Sequence, residues 1–358
     1  MSVPARFTAR AGRRLAALTS VVVLGATLAA CSSSSGSTEN GSTGHSGDQS
    51  NVTLTFGFQT ADYPALLKAS GLFNNLPYKL DTPVISGPAA QISALYSKAT
   101  DFGLVGENTA AFEAANADTD LSKSEPKIYT IAGYSAPGNP HPSPALYVRT
   151  SANINSIQDL RGHSIAYNFG GNIYAGYVKI LAQAGLTLND IKPVRLPDNQ
   201  SAAAAFVAGQ VDAVVSGYTS VAKVVDSGQA KLLIDNESLG IRGGAGFITR
   251  PDVLTEQAKL AAAKDFFGRF STFYSVWYPD HEAEVTKIYE SVLKQTPAIA
   301  KINFETQKPG KLYQIGDPQF IKDQQAIVDA AFKANGVKHD YDISKVFNPI
   351  FDAVAVPS

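Results

Sequence analysis

The chain has 358 residues, 44% of them hydrophobic, with 30 Lys and Arg against 31 Asp and Glu, for a formal net charge of −1. That balance excludes the basic surface that nucleic-acid binding requires. A single cysteine excludes an internal disulfide and a zinc cluster built on thiolates.

Residues 1–14 carry Arg6, Arg10, Arg13 and Arg14 and no acid, and the apolar run "LAALTSVVVLGATLAA" follows them. This is the pattern of a secretory signal, and the run is shorter than the roughly 20 residues that a membrane-spanning helix needs. It ends at Leu28-Ala29-Ala30-Cys31, which resembles the lipobox of bacterial lipoproteins. The resemblance implies removal of residues 1–30 and attachment of a lipid to the thiol of Cys31. Most of residues 32–51 are Ser, Gly or Thr. Such a segment buries too little apolar surface to offset its ordering entropy, so it reads as a flexible linker. The expectation is a body held at the extracytoplasmic face of the cell membrane by a lipid anchor.

The body begins with "NVTLTFGF", whose alternation places Val52, Leu54, Phe56 and Phe58 on one face of a strand. "DYPALLKASGLF" reads as a helix ended by Gly71. "KLDTPVI" is a second strand. "SGPAAQISALYSK" opens a second helix, with Gly87 as cap and Pro88 at its first position. "DFGLV" and "KIYTIAGY" follow as strands. Alternating strands and helices indicate doubly wound α/β sheets. Pro137, Pro140, Pro142 and Pro144 interrupt this pattern, and "SAPGNPHPSP" reads as a crossing between two lobes.

Beyond the crossing, "ALYVRT" and "SIAYNFGGN" are strands. The spacing of Ile173, Tyr177, Ile180, Leu181 and Ala184 predicts a helix up to Gly185. "IKPVRL", "VDAVVS" and "AKLLI" complete a second set of strands. Near "GIRGGAGFITR" the chain crosses back, and from about residue 253 the pattern is helical. The expected organisation is lobe 1 from 52–138 and 247–358, and lobe 2 from 139–246. The segments "ALYSKATDFGLVGENT" and "AFVAGQVDAVVSGYTS" echo one another on Asp101 and Asp212, each five residues ahead of a glycine, Gly106 and Gly217. Two lobes of one design would face each other across a cleft, with ligand at the carboxyl ends of the strands.

Catalytic signatures are missing: no HExxH, CxxC, GxSxG or phosphate-binding loop occurs. The helix starts at Gly87-Pro88 and Gly170-Gly171-Asn172 are better candidates. Free backbone N–H groups and the helix dipole favour an anion there. A binding protein without catalytic residues, metal or cofactor is therefore expected.

"SGPAAQISALYSKATDFGLVGE", "SIQDLRGHSIAYNFGGNIYAGYVKILAQAGLTLNDIKPVRL" and "AAAAFVAGQVDAVVSGYTSVAKVVDSGQAKLLID" together resemble substrate-binding proteins of ABC importers of the nitrate/sulfonate/taurine type. That group includes binders of thiamine-pyrimidine precursors. The resemblance implies a type II periplasmic-binding-protein fold, two doubly wound sheets joined by a hinge. It implies a monomer that closes on a small organic anion, sulfonate-like or aromatic and carboxylate-bearing, and delivers it to a permease with its ATPase. Carried over by position, lobe 1 would contribute Gln59, Tyr63, Ser86, Gly87, Glu107, Asn108 and Tyr134. Lobe 2 would contribute Gly170, Gly171, Asn172, Tyr174, Ser216, Gly217 and Tyr218, with Arg242 adding charge. Glu107 suits an anion only if it turns away or is protonated. The alternative is an enzyme on the same fold in thiamine-pyrimidine or menaquinone precursor metabolism. Mass spectrometry of the protein taken from its own membrane separates them: a diacylated Cys31 at the N-terminus is expected, and an unmodified chain starting upstream would remove the anchor.

Overall fold

The computed structural model describes residues 51–120 and 123–355. Cys31, the apolar run before it and the serine-rich stretch up to residue 50 lie outside the described residues. The first four strands are β1 (Thr53–Gly57), β2 (Lys79–Asp81), β3 (Phe102–Gly106) and β4 (Tyr129–Ser135), joined in order by α1 (Asp62–Ala69), α2 (Pro88–Tyr96) and α3 (Thr109–Asn116). Strand β2 stops short of the expected "KLDTPVI". Pro83 has no N–H with which to continue the ladder, and only an isolated bridge joins Phe58 to Val84.

After the proline-rich crossing come β5 (Ala145–Arg149), β6 (Ser164–Asn168), α4 (Asn172–Ala184), β7 (Lys192–Leu196) and α5 (Asn199–Val207). Then follow β8 (Ala213–Ser216), α6 (Tyr218–Asp226), β9 (Ala230–Asp235) and β10 (Ala245–Thr249). The last part is helical, as expected: α7 (Pro251–Thr255), α8 (Gln257–Thr272), a π-helical turn (Phe273–Trp277), α9 (Tyr278–Asp280), α10 (Glu282–Val292), α11 (Pro297–Gln307) and α12 (Pro318–Lys333). The short strand β11 (Lys311–Tyr313) interrupts it. No helix among the described residues is long and apolar enough to cross a membrane.

The strands form two mixed sheets, β2-β1-β3-β10-β4-β11 and β7-β6-β8-β5-β9. Each has three parallel strands linked by helical crossovers, and each is completed by an antiparallel strand that enters from the other lobe: β10 beside β3, and β5 beside β8. The two-lobed α/β architecture is therefore as expected. Strand β3 is buried at every residue, as a strand covered on both faces must be.

The echo around Asp101 and Asp212 is structural. The Thr55 N–H donates to Asp101 Oδ2 at 3.0 Å, and the Ser164 N–H donates to Asp212 Oδ2 at 2.8 Å. In each lobe this carboxylate ties the start of one parallel strand to its neighbour, β3 to β1 in lobe 1 and β8 to β6 in lobe 2. A second correspondence was not visible in the sequence. Arg250 follows β10 and donates through Nη1 to the carbonyls of Leu95 and Thr100 at 2.8 and 2.6 Å. Arg149 ends β5 and donates through Nη2 to the carbonyls of Phe206 and Val207 at 2.5 and 3.1 Å. Each guanidinium thus adds donors to carbonyls at or just beyond the C-terminal end of a helix, α2 or α5, two of which, those of Leu95 and Phe206, also accept from the Lys98 and Gly209 N–H groups.

Lobe 1 is built on aromatic packing. Phe56 stacks between Phe102 and Phe266 at centroid distances of 4.4 and 3.8 Å, and each ring withdrawn from water contributes about 2–3 kcal/mol. Part of the C-terminal segment departs from its expected place in lobe 1 alone. Helix α12 lays Phe320, Val328 and Ala331 into a core shared with Phe112 of α3 and with Tyr174, Tyr177 and Val178 of α4. The Leu188 N–H also donates to the Ala334 carbonyl at 3.1 Å. The end of the chain therefore binds both lobes. Arg250 is only 7% exposed, so Arg250→Met is expected to strand the Thr100 carbonyl, while that of Leu95 keeps the Lys98 N–H, and to lower stability by about 2 kcal/mol, measured as a shift in denaturant midpoint at constant slope.

Candidate functional site

The carboxyl ends of β1, β6, β7 and β8 converge on a cavity of about 270 Å³ between the lobes. Lobe 1 supplies Gln59, Thr60 and Tyr63 from the segment after β1, and Pro88 from the start of α2. Lobe 2 supplies Asn168 and Asn172 around the glycine pair, Asn199 and Gln200 after β7, and Gly217, Thr219 and Ser220 after β8. Ser143 reaches it from the first crossing. No Asp, Glu, Lys or Arg is among the residues lining this space. Three helices start here behind glycine N-caps, Gly87, Gly171 and Gly217, none of which caps through a side chain. Helix α5, by contrast, is capped by Asp198, whose Oδ1 accepts from the Ser201 N–H at 2.7 Å. Asn168 is 4% exposed, and its Oδ1 has no partner. The arrangement can hold an acceptor-rich group by neutral donors and by the positive ends of helix dipoles.

The cavity continues into a larger one of about 670 Å³ that shares Thr60, Tyr63, Gln200, Thr219 and Ser220 with it. Its far wall comes from the α10–α11 region, through Gln295, Asn303 and Gln307, and from Tyr274 on the π-helical turn. π-Helical turns are rare and cluster at functional sites. Here the extra residue in the turn accompanies a tyrosine on the cavity wall. Tyr134 lies behind Tyr274 with ring centroids 4.4 Å apart, and its hydroxyl donates to Gln307 Oε1 at 2.7 Å. Burial pushes the Tyr63, Tyr134 and Tyr274 hydroxyls well above the ordinary phenol range, so they remain neutral donors.

The candidate residues divide into two groups. Gln59, Tyr63, Asn172 and Gly217 line the cavity. Gly170 and Gly171 sit against Pro88 at its edge, and Tyr134 buttresses the wall. Ser86 lies exposed beside buried Gly87.

The rest are turned elsewhere. Glu107 is fully buried and accepts a hydrogen bond from the Tyr313 hydroxyl. Burial pushes its carboxyl up, while Tyr313 and the Arg242 charge pull it back. Arg242 itself lies over the Tyr313 ring at 4.3 Å, so both are spent on the second crossing. Asn108 donates to Gln324 of α12 at 2.5 Å. Tyr174 points into the shared core and donates to the Gly336 carbonyl at 2.5 Å. Ser216 donates to Asn199 Oδ1 at 3.0 Å, which orients a lining residue without reaching the cavity. Tyr218 stacks on His141 at 4.1 Å and donates to Asp226.

Sequence reasoning missed Thr60, Asn168, Asn199, Gln200, Thr219 and Ser220. "PDNQS" follows a strand and opens a helix, so the rule that exposed Gly87 and Gly171 would also have found Asn199 and Gln200.

A family model described as NMT1/THI5 like matches residues 87–265. A protein of Escherichia coli (strain K12) assigned to the binding of aliphatic sulfonates is 30% identical over 170 residues, 46% of this chain and 48% of that relative. The match thus spans about half the length of that relative. Among solved structures, the alkanesulfonate-binding protein SsuA from Xanthomonas axonopodis pv. citri bound to MOPS is 22% identical. It superposes with a TM-score of 0.68 over 83% of this chain and 98% of its own. The periplasmic aliphatic sulphonate binding protein SsuA from Escherichia coli is 19% identical, with a TM-score of 0.65 over 83% of this chain and 92% of its own. At these identities the two structures establish the fold.

The lobes meet where side chains are absent. A Cβ on Gly106 would lie 2.2 Å from the backbone nitrogen of Asn172 and 2.8 Å from the Gly171 Cα. A Cβ on Gly87 would lie 2.3 Å from the Pro197 carbonyl oxygen. Gly106→Ala is expected to hold the lobes apart at this point. Small-angle scattering should then give a larger radius of gyration than the wild type, and an unchanged value would mean that the facing loop yields locally.

Proposed function

The chain belongs to the NMT1/THI5-like family, and we propose that it is an extracytoplasmic solute-binding protein that captures a sulfonate-type organic anion between its lobes. The observation that carries this reading is the convergence of three glycine-capped helix starts and a set of neutral donors on one cavity. A sulfonate keeps its charge at all physiological pH values and offers three acceptor oxygens and no proton. Neutral N–H and O–H donors can satisfy it without a counter-charge, and helix starts favour it electrostatically. A charged lining would add attraction but also the cost of burying the cation. The assignment of the Escherichia coli relative to aliphatic sulfonates is in keeping with this chemistry.

The mechanism is capture by closure, with no bond made or broken. The anion fills the gap between helix starts on opposite lobes and so stabilises the state in which they approach. The closed form is then recognised by an ABC permease with its ATPase. A lipid on Cys31 and the linker after it keep the protein at the membrane. The larger cavity accommodates the organic part of the ligand against Tyr63 and Tyr274.

Thermal unfolding of the body against nitrate, sulfate, alkanesulfonates, aromatic sulfonates, carboxylates and thiamine pyrimidines tests the reading. Sulfonates at about 1,000 times their Kd should add roughly 4 kcal/mol and raise the midpoint by several degrees. A shift confined to carboxylates or pyrimidines would replace the sulfonate assignment.

A further inference from the structure

One of the helix starts at the cleft is held from beneath. Gln91 of α2 is fully buried, where a helix packed on a sheet ordinarily places an apolar residue. Its Oε1 has no hydrogen-bond partner, a costly arrangement for a buried amide. The sheet makes room for it. Gly57 of β1 and Gly103 of β3 pair with one another, and a Cβ on them would lie 2.4 and 2.7 Å from Gln91 Oε1. Glycine weakens a strand and marks a close approach. Two strands and a helix thus depart from ordinary packing around one carboxamide.

Lobe 2 shows ordinary packing at the same place. The bonds of Asp101 to Thr55 and of Asp212 to Ser164 align the two sheets. Counted from them, Gly57 and Gly103 correspond to Ala166 and Val214, which also pair with one another. Counted from the helix caps Gly87 and Asp198, Gln91 corresponds to Ala202. Ala166, Val214 and Ala202 share one apolar core. The helix starts differ in the same sense. Asp198 caps α5 by accepting from the Ser201 N–H, whereas no side chain caps α2. Instead Gln91 Nε2 donates to the Ile85 carbonyl at 2.9 Å, just ahead of the Gly87 cap. Phe58 holds the same loop from the other side: its N–H donates to the Pro83 carbonyl at 3.0 Å, and its carbonyl accepts from the Ile85 N–H at 2.8 Å.

We propose that Gln91 is a positioning residue for the anion site: it fixes the loop before α2 in place of a cap, and so leaves the first N–H groups of that helix free for ligand. A capping carboxylate would hold the loop as well, but it would occupy one of those N–H groups and set a negative charge where the anion is to lie. A carboxamide buried against the sheet does neither. Pro88, the first residue of α2, lines the smaller cavity, so a shift of the loop moves the cavity wall. The placing of the loop stands on the contacts of Gln91 alone, and its consequence for anion binding rests on the function proposed above.

Hydrogen exchange and calorimetric titration of butane-1-sulfonate read the two parts separately. In Gln91→Met the Phe58 and Ile85 amides are expected to exchange at least tenfold faster than in the wild type, with the β4 amides unchanged, and butane-1-sulfonate to bind at least tenfold more weakly. Gly103→Ala, which crowds the carboxamide while leaving Gln91 in place, should act in the same direction. Leu95→Ala opens the core under the same helix; it should lower stability yet leave affinity within about threefold, which separates positioning from destabilisation. Unchanged exchange at Phe58 and Ile85 in both Gln91→Met and Gly103→Ala would overturn the placing of the loop. Faster exchange with affinity within about threefold of wild type would overturn its link to binding. If the wild type itself does not bind butane-1-sulfonate, the anion reading and that link both fall, and the exchange rates alone decide whether Gln91 places the loop. Should neither variant fold, the wild type decides: added butane-1-sulfonate should slow exchange of the Ile85 amide, and an unchanged rate would overturn the link.

Discussion

At the centre of this molecule two backbones come so close that no side chain fits between them. Gly106, at the end of the third strand of lobe 1, faces the peptide that opens α4 in lobe 2. Gly87 faces the Pro197 carbonyl in the same way, and with φ at +85° it also holds a conformation that other residues rarely adopt. The glycines therefore do two things at once. They allow the lobes to touch, and they start α2, α4 and α6 without a capping side chain, so that at α4 only the Ile173 N–H finds a side-chain acceptor, Asn172 Oδ1 at 3.0 Å. The binding chemistry follows from the contact. Groups unsatisfied within the protein are concentrated where a ligand can satisfy them.

The contact is also anchored from behind. Helix α12 shares its apolar face between α3 and α4, and Asn108 and Tyr174 are hydrogen-bonded to it or to the turn after it. The two crossings run side by side: a Cβ on Gly243 would lie 2.1 Å from the Ser143 carbonyl oxygen. Movement between the lobes must therefore be a small rotation about a packed edge rather than a free swing, because a filled core is not continuously deformable. Glu107, Tyr313 and Arg242 form part of this packed edge. Their burial or mutual stacking explains why three chemically attractive residues near the cleft take no direct part in it.

Much of this was legible in the sequence. Local signals located β1, α1, α2, α4, and the glycine caps at Gly87 and Gly171, because alternation, helical spacing and Gly or Pro punctuation are properties of neighbouring residues. The repeated Asp-to-Gly spacing exposed the two-fold design, because each Asp performs the same strand-tying bond. What could not be read was the choice a side chain makes between two neighbours. Tyr174 and Asn172 lie two positions apart at one helix start, yet one enters the core and the other lines the cavity. Asn108 follows a strand end as Gln59 does, but α12 claims its amide. Helix α12 was visible as a helix. Its role as a bridge was not, since apolar spacing gives the face and not the partner. Strand β10 was hidden because "AGFIT" is short and follows three glycines within five residues, Gly240, Gly243 and Gly244.

The exchange of antiparallel strands bears on how the chain assembles. Lobe 2 takes its five strands from one uninterrupted stretch, β5 to β9. Lobe 1 cannot close its sheet until β10 arrives, because Phe102 pairs with Thr249 and Tyr134 with Ala245. Until then β3 lacks its neighbour on one side, and β4 has no strand partner at all, since its pairings are with β10 and β11. A chain emerging from its N-terminus thus presents open strand edges and the phenylalanine-rich face of lobe 1 before it can cover them. Lobe 2 has the shorter loops to close and sets first. By that argument the first lobe in sequence is expected to be the second to form, with its open strand edges exposed to aggregation in the interval.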